Sequence, residues 1–169
     1  MASKISFDAL NEKHFPMLLK WLNAASVKQW WDANIEWTPE KVKIKYGPRV
    51  DNKDIRCFII NNEDVPIGYI QLYDAYRFPR SKPLSGLPTN LGAIDFYIAE
   101  EEYLGRGLGE VVLKLFIDQF NEFQHLFVDP SSQNFAAVAT YTKAGFKQLD
   151  QQQSKGELWM VRDCATHNL

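Results

Sequence analysis

Two cysteines in 169 residues, Cys57 and Cys164, are too few and too far apart for a disulfide framework, and they form no CxxC pair. The three histidines, His14, His125 and His167, are scattered without HxxH spacing, so no metal site is expected. Basic residues are not in excess: the formal net charge is -2, and a basic face for nucleic acid is not expected. No apolar run approaches the roughly 20 residues needed to cross a bilayer, and no signal-like core follows Met1. A cytoplasmic protein with no membrane partner is therefore expected. Neither GxxxxGK[ST] nor GxGxxG occurs, which removes the two best-known phosphate loops. Internal repeats and low-complexity stretches are absent too.

What is present is apolar and aromatic. Hydrophobic residues make up 46% of the chain and aromatic residues 14%, enough for a sizeable core in a single domain spanning residues 1–169. Alternation over Ile5–Leu10 predicts a first strand, and Asn11 is placed to cap a helix to about Asn23. Ser26–Asp32 reads as a short helical turn carrying Trp30 and Trp31. Thr38-Pro39-Glu40 reads as a helix start, with a stop near Gly47-Pro48. Two strands, Arg56–Ile60 and Pro66–Tyr73, form a hairpin across Asn61–Asp64. The prolines, Gly86 and polar residues of Arg77–Asn90 make a long loop, and loops of that kind are often functional.

The second half alternates more regularly. A strand over Ala93–Ala99 leads through a glycine-rich turn into a helix to about Phe120, whose apolar stripe is Leu108, Val111, Val112, Leu115, Phe116 and Phe120. His125–Val128 is a short strand, Asn134–Ala144 a helix closed by Gly145, and Phe146–Gln153 with Lys155–Arg162 a last hairpin turning at Ser154–Gly156. The fold class is α+β with a mixed, mostly antiparallel sheet.

Gly105-Arg106-Gly107-Leu108-Gly109 lies between strand and helix. Glycines let the backbone turn sharply and present its N–H groups, and the helix N-terminus behind adds partial positive charge, so the turn suits phosphates. Glycines that merely permit a tight turn would look the same. The turn is followed, in order, by Asn134, Ala137, Tyr141, Gly145 and Phe146, in the pattern N-x-x-A-x-x-x-Y-x-x-x-G-F.

With both motifs in place the chain resembles the GNAT superfamily of acetyltransferases. Leu104 departs from the Gln or Arg that many members carry, at a position where backbone N–H groups do the binding. The resemblance implies a central sheet splayed at an acetyl-CoA site, with helices on both faces, and acetyl-CoA as acetyl donor without a metal. It implies that a bulged strand at Ile98 and Ala99 bonds the pantetheine arm, with an N–H near Ile98 for the oxyanion. Residues Leu104, Gly105, Arg106, Gly107, Leu108 and Gly109 hold the pyrophosphate, and Asn134 touches the coenzyme or simply caps its helix.

Tyr141 is the expected general acid: a phenol of pKa about 10 stays protonated at neutral pH and can give its proton to a thiolate. A core aromatic would occupy the same place. The acceptor amine must lose a proton first. For a lysine-like amine, holding it neutral at pH 7 costs roughly 4–5 kcal/mol, so a nearby carboxylate or a water chain has to take the proton. Asp95, an acid inside Ala93-Ile94-Asp95-Phe96, and Asp129 are the candidates, although Asp129 before Pro130 is also an ordinary turn residue.

Within the superfamily the chain is most similar to the aminoglycoside 6′-N-acetyltransferases, through Met17–Asn23, Trp30-Trp31, Pro66–Tyr69 with Gln71 and Tyr73, Ile94-Asp95, Leu104–Gly109 and Asp129–Phe146. That resemblance implies transfer to a primary amine of a small molecule, most simply an aminoglycoside 6′-amine as in antibiotic resistance. Trp31, Gln71, Tyr73, Asp95 and Asp129 would line the acceptor pocket. The loop 77–90 departs from the pattern, holding Arg77, Arg80 and Lys82 and no acid, where like charge disfavours a polycation. A siderophore hydroxylysine or a polyamine is the alternative acceptor. A non-catalytic acetyl-CoA-binding module is the alternative from another class. Oligomeric state is left open between monomer and homodimer.

Overall fold

The computed structural model describes residues 4–80, 82–149 and 156–164. Seven strands form one sheet: β1 (Ile5–Ala9), β2 (Ile55–Asn62), β3 (Val65–Asp74), β4 (Leu91–Ile98), β5 (His125–Val128), β6 (Lys147–Gln148) and β7 (Met160–Asp163). Their order is β1-β2-β3-β4-β5-β7-β6. The helices are α1 (Phe15–Asn23), α2 (Ala25–Lys28), α3 (Pro39–Tyr46), α4 (Leu108–Gln119) and α5 (Phe135–Lys143). Of the expected final turn at Ser154–Gly156 only Gly156 lies among the described residues, and His167 lies outside them.

The chain divides into two compact units: residues 1–71 with 96–108, and residues 72–95 with 109–169. In the first, β1 pairs antiparallel with β2 from Ile5↔Asn62 to Ala9↔Phe58. The hairpin into β3 turns on Glu63 and Asp64, both left-handed (φ 50 and 65), the geometry that suits the twist of paired strands. Asn11 accepts from the Lys13 N–H ahead of α1, and Thr38 accepts from the Lys41 N–H at the start of α3. Leu18, Trp21 and Leu22 of α1 and Val42 and Tyr46 of α3 are buried. Gly68 admits no side chain, since a Cβ there would collide with the Tyr97 carbonyl oxygen.

In the second unit β5 runs parallel to β4 and antiparallel to β7. Ala75, Leu84, Leu91, Ala93, Phe127 and Trp159 form one buried cluster in it, with Tyr73 and Leu87 packed against them. Leu84 and Leu87 belong to the long loop, which is thereby anchored rather than free. The stripe of α4 differs from expectation: Leu108, Val112, Leu113, Phe116 and Ile117 are buried, whereas Val111 and Leu115 are 37% and 41% exposed. Apolar residues occupy most of that helix's circumference, so periodicity alone could not fix which side faces inward.

Candidate active site

Strand parity assembles the acidic centre. The β4–β5 ladder runs Leu91↔His125, Gly92↔Leu126, Ala93↔Phe127 and, among the described residues, stops there. Asp95 and Asp129 each stand two residues beyond that last rung. Side chains two apart share a face, so both carboxylates project to the side of Ala93 and Phe127. The two strands therefore stop pairing where the acids begin.

Burial first, and then the neighbouring charge of Asp95, push the Asp129 carboxyl up to about 7, while the Arg80 guanidinium opposes the rise. Arg80 donates from Nη1 to Asp129 Oδ2 at 2.8 Å and from Nη2 to the Tyr73 hydroxyl at 3.2 Å. Tyr73 is in turn hydrogen-bonded to Asp95. The guanidinium carbon lies 4.8 Å from the Phe127 ring centre and 6.0 Å from that of Tyr73. Arg80 thus reaches one acid directly and the other through a phenol.

Tyr141, on α5, is 6% exposed and packs edge-on against Phe146 at 5.6 Å. Burial drives its pKa upward, and Asp95, Asp129 and Tyr73 add to the rise, so the phenol keeps its proton throughout the neutral range. Asn134 caps α5, its side chain accepting from the Ala137 N–H at 3.2 Å. The capping reading of that residue is therefore the one with a visible bond.

The other expected pocket residues sit in the first unit. Trp31 packs edge-on against Tyr69 at 5.9 Å and Tyr97 at 4.9 Å. Gln71 accepts from the Tyr69 hydroxyl and from Arg49, each at 2.7 Å. Trp31 and Gln71 are thus tied together through Tyr69, which sequence reading passed over, as it did Arg49.

At the end of β4 the N–H groups of Ala99 and Glu100 both reach the Ile67 carbonyl, at 2.7 and 3.3 Å. Two successive donors on one acceptor are what a bulge produces. The Ala99 N–H is therefore taken, and what Ala99 can offer a ligand is its carbonyl. In the glycine turn Gly105 and Gly107 have φ +70 and +72, and a Cβ on either would meet nothing within 4 Å. Leu104 to Gly107 are exposed and α4 begins at Leu108, so backbone donors and a helix N-terminus are open to an anion here. That suits a pyrophosphate. Among the described residues no group of three His, Cys, Asp or Glu side chains could hold a metal ion. His14 accepts from the Asn11 N–H, and His125 lies 2.7 Å from Asp163.

A family model described as an acetyltransferase (GNAT) domain matches residues 11–153. The chain belongs to the GNAT acetyltransferase family.

Other GNAT proteins resemble it over most of its length. Aminoglycoside N(6′)-acetyltransferase type 1 of Klebsiella pneumoniae is 28% identical over 148 residues, 85% of this chain and 74% of that protein. The enzyme of the same description from Serratia marcescens matches equally. Among solved structures, AAC(6′)-Ib in complex with paromomycin and acetyl-CoA is similar at a TM-score of 0.83, 26% identity, and 95% and 93% of the two chains. The GNAT fold and the acetyltransferase class expected from the two motifs both hold. The family's sheet is here open and mixed: β4 and β5 run parallel, while β1–β2 and β5–β7 are antiparallel. No described helix is long and apolar enough to cross a membrane.

Proposed function

We propose that this GNAT acetyltransferase moves the acetyl group of acetyl-CoA to a primary amine of a small cationic molecule, of the aminoglycoside 6′-amine kind. The observation that carries the reading is the pair Asp95 and Asp129, each two residues past the last rung of the β4–β5 ladder, with the buried Tyr141 within their electrostatic reach. Relatives named as aminoglycoside 6′-acetyltransferases support the choice of acceptor.

Acetyl-CoA supplies an acetyl thioester when bound, its pyrophosphate suited to the donors of Leu104, Gly105, Arg106, Gly107, Leu108 and Gly109, and its arm to the backbone of Ile98 and Ala99. On the acceptor side, Asp95 takes the proton the reacting amine must lose, and ionised Asp129 attracts a further ammonium group of the acceptor. Tyr141 keeps its proton and presents it to the departing sulfur. Trp31, Gln71 and Tyr73 are assigned to acceptor binding, Tyr73 on the strength of its bond to Asp95. The whole chain is assigned to one catalytic domain.

The test is thiol release from acetyl-CoA with kanamycin, spermidine and N-hydroxylysine as acceptors. Kanamycin-dependent release is expected, falling about 100-fold or more in both Tyr141→Phe and Asp95→Asn. Release with N-hydroxylysine alone would move the acceptor to an amine carrying a carboxylate, a reading that the basic residues Arg77, Arg80 and Lys82 favour. No release with any amine would sink the proposal.

A further inference from the structure

We propose that Arg80 sets the acceptor range of this enzyme by standing, as a tethered cation, where the ammonium group of a polycationic acceptor would bind. The inference deepens the acetyltransferase reading and rests on it.

A binding site for an organic cation needs a carboxylate at hydrogen-bond distance and an aromatic face to lie on. Both are present around Arg80, and both are already in use. Asp129 receives Nη1 at 2.8 Å, Tyr73 receives Nη2, and the guanidinium lies over Phe127. Side-chain exposure is 16% for Arg80 and 24% for Asp129, so water screens this pair poorly. The segment that delivers Arg80 is fixed at several points. Phe78 packs edge-on against Tyr73 at 4.9 Å, Leu84 enters the core beside Phe127 and Trp159, and the Tyr76 hydroxyl donates to the Pro88 carbonyl at 2.6 Å. Arg80 is consequently held in place by its own loop, at a high effective concentration, and any free cation must compete with it.

The competition is selective. An acceptor whose only positive charge is the reacting amine leaves Arg80 undisturbed. An acceptor with further ammonium groups nearby must either displace Arg80 from Asp129 or suffer its repulsion. Removing the guanidinium leaves Asp129 buried beside Asp95 and Glu157 without a counter-charge, a costly state that a bound ammonium relieves. Loss of Arg80 should therefore strengthen polycation binding, the opposite of what loss of a merely structural arginine would do.

The test is calorimetric binding of kanamycin and of 6-amino-6-deoxyglucose to the coenzyme A complex, at about pH 8 and again at about pH 9, because loss of the guanidinium lifts the Asp129 carboxyl further. In Arg80→Gln kanamycin should bind about tenfold or more tighter, while the single-amine sugar changes by less than about twofold. Arg80→Lys, which keeps the charge, should stay near wild type. In an Asp129→Asn background the gain should vanish, because the charge being competed for is gone. In the wild-type protein, kanamycin should release the buried Arg80 Nε–H to solvent exchange, read by nitrogen-15 resonance, which needs no variant to fold. Kanamycin affinity unchanged or weakened in Arg80→Gln, a gain that survives in Asp129→Asn, or kanamycin bound with the Arg80 resonance undisturbed would each overturn the proposal. If the binding gain appears but no variant releases thiol, Arg80 keeps its role and the acetyl-transfer reading fails instead.

Discussion

At the scale of single residues, Asp129 carries the most chemistry and the clearest pH signature. Its folded pKa, about 7, lies above that of an unfolded aspartate, so the native state holds the extra proton across the window between them. Stability contributed by that proton is present at low pH and lost as pH rises through about 7. Relative to Asp129→Asn, wild type should therefore lose thermal midpoint from about pH 4 to about pH 7 and level off above it, measured by paired melts of the two proteins. A difference that stays flat, or grows in wild type's favour, would refute the raised pKa. The same titration governs binding: only the carboxylate attracts an ammonium group, so kcat/KM for the acceptor should climb through pH 7 with a limb that Asp129→Asn removes. The acid inside the apolar run Ala93–Phe96 and the resemblance to the family nominated Asp95 and Asp129 from sequence, with the turn before Pro130 as the ordinary alternative for Asp129. Their common counter-ion was not so legible, because Arg80 lies 49 residues from Asp129 and the packing of Phe78 and Leu84 brings them together.

At the scale of elements, the glycine turn before α4 makes a conformational demand and no steric one. Gly105 and Gly107 are left-handed with open space around them, so an alanine at either position would suffer from backbone strain alone, about 1–2 kcal/mol. Gly105→Ala and Gly107→Ala should each lower the melting midpoint and weaken coenzyme A binding. Gly47→Ala is the control: that glycine is equally uncrowded but has φ -54, which alanine adopts freely. Equal effects at all three would mean that the turn is not held in this shape. Caps were the most readable feature at this scale, since Asn11, Thr38 and Asn134 each make the local bond their position implies. Strand ends were read to within two residues from β1 to β5, whereas the last hairpin, expected over Phe146–Gln153 and Lys155–Arg162, holds the shorter β6 and β7 among the described residues. The stripe of α4 was not, because a helix apolar on most sides carries no signal for its rotation.

For the whole molecule, neither compact unit is a continuous stretch of chain. The division falls inside β3, between Gln71 and Leu72, and inside β4, between Asp95 and Phe96. Neither unit can unfold without taking part of both strands with it. A single cooperative transition is expected, with calorimetric and van't Hoff enthalpies equal, and two resolved transitions would contradict the one-domain assignment. The motifs that reveal the family, the glycine turn and the α5 signature, lie in stretches apart from the loop that bears Arg80. That separation has an evolutionary consequence. A single codon change at position 80 would leave the coenzyme machinery and every family hallmark intact while altering which amines compete successfully for Asp129. Descendants of one ancestor could thus diverge in the amines they accept while remaining indistinguishable by their signatures.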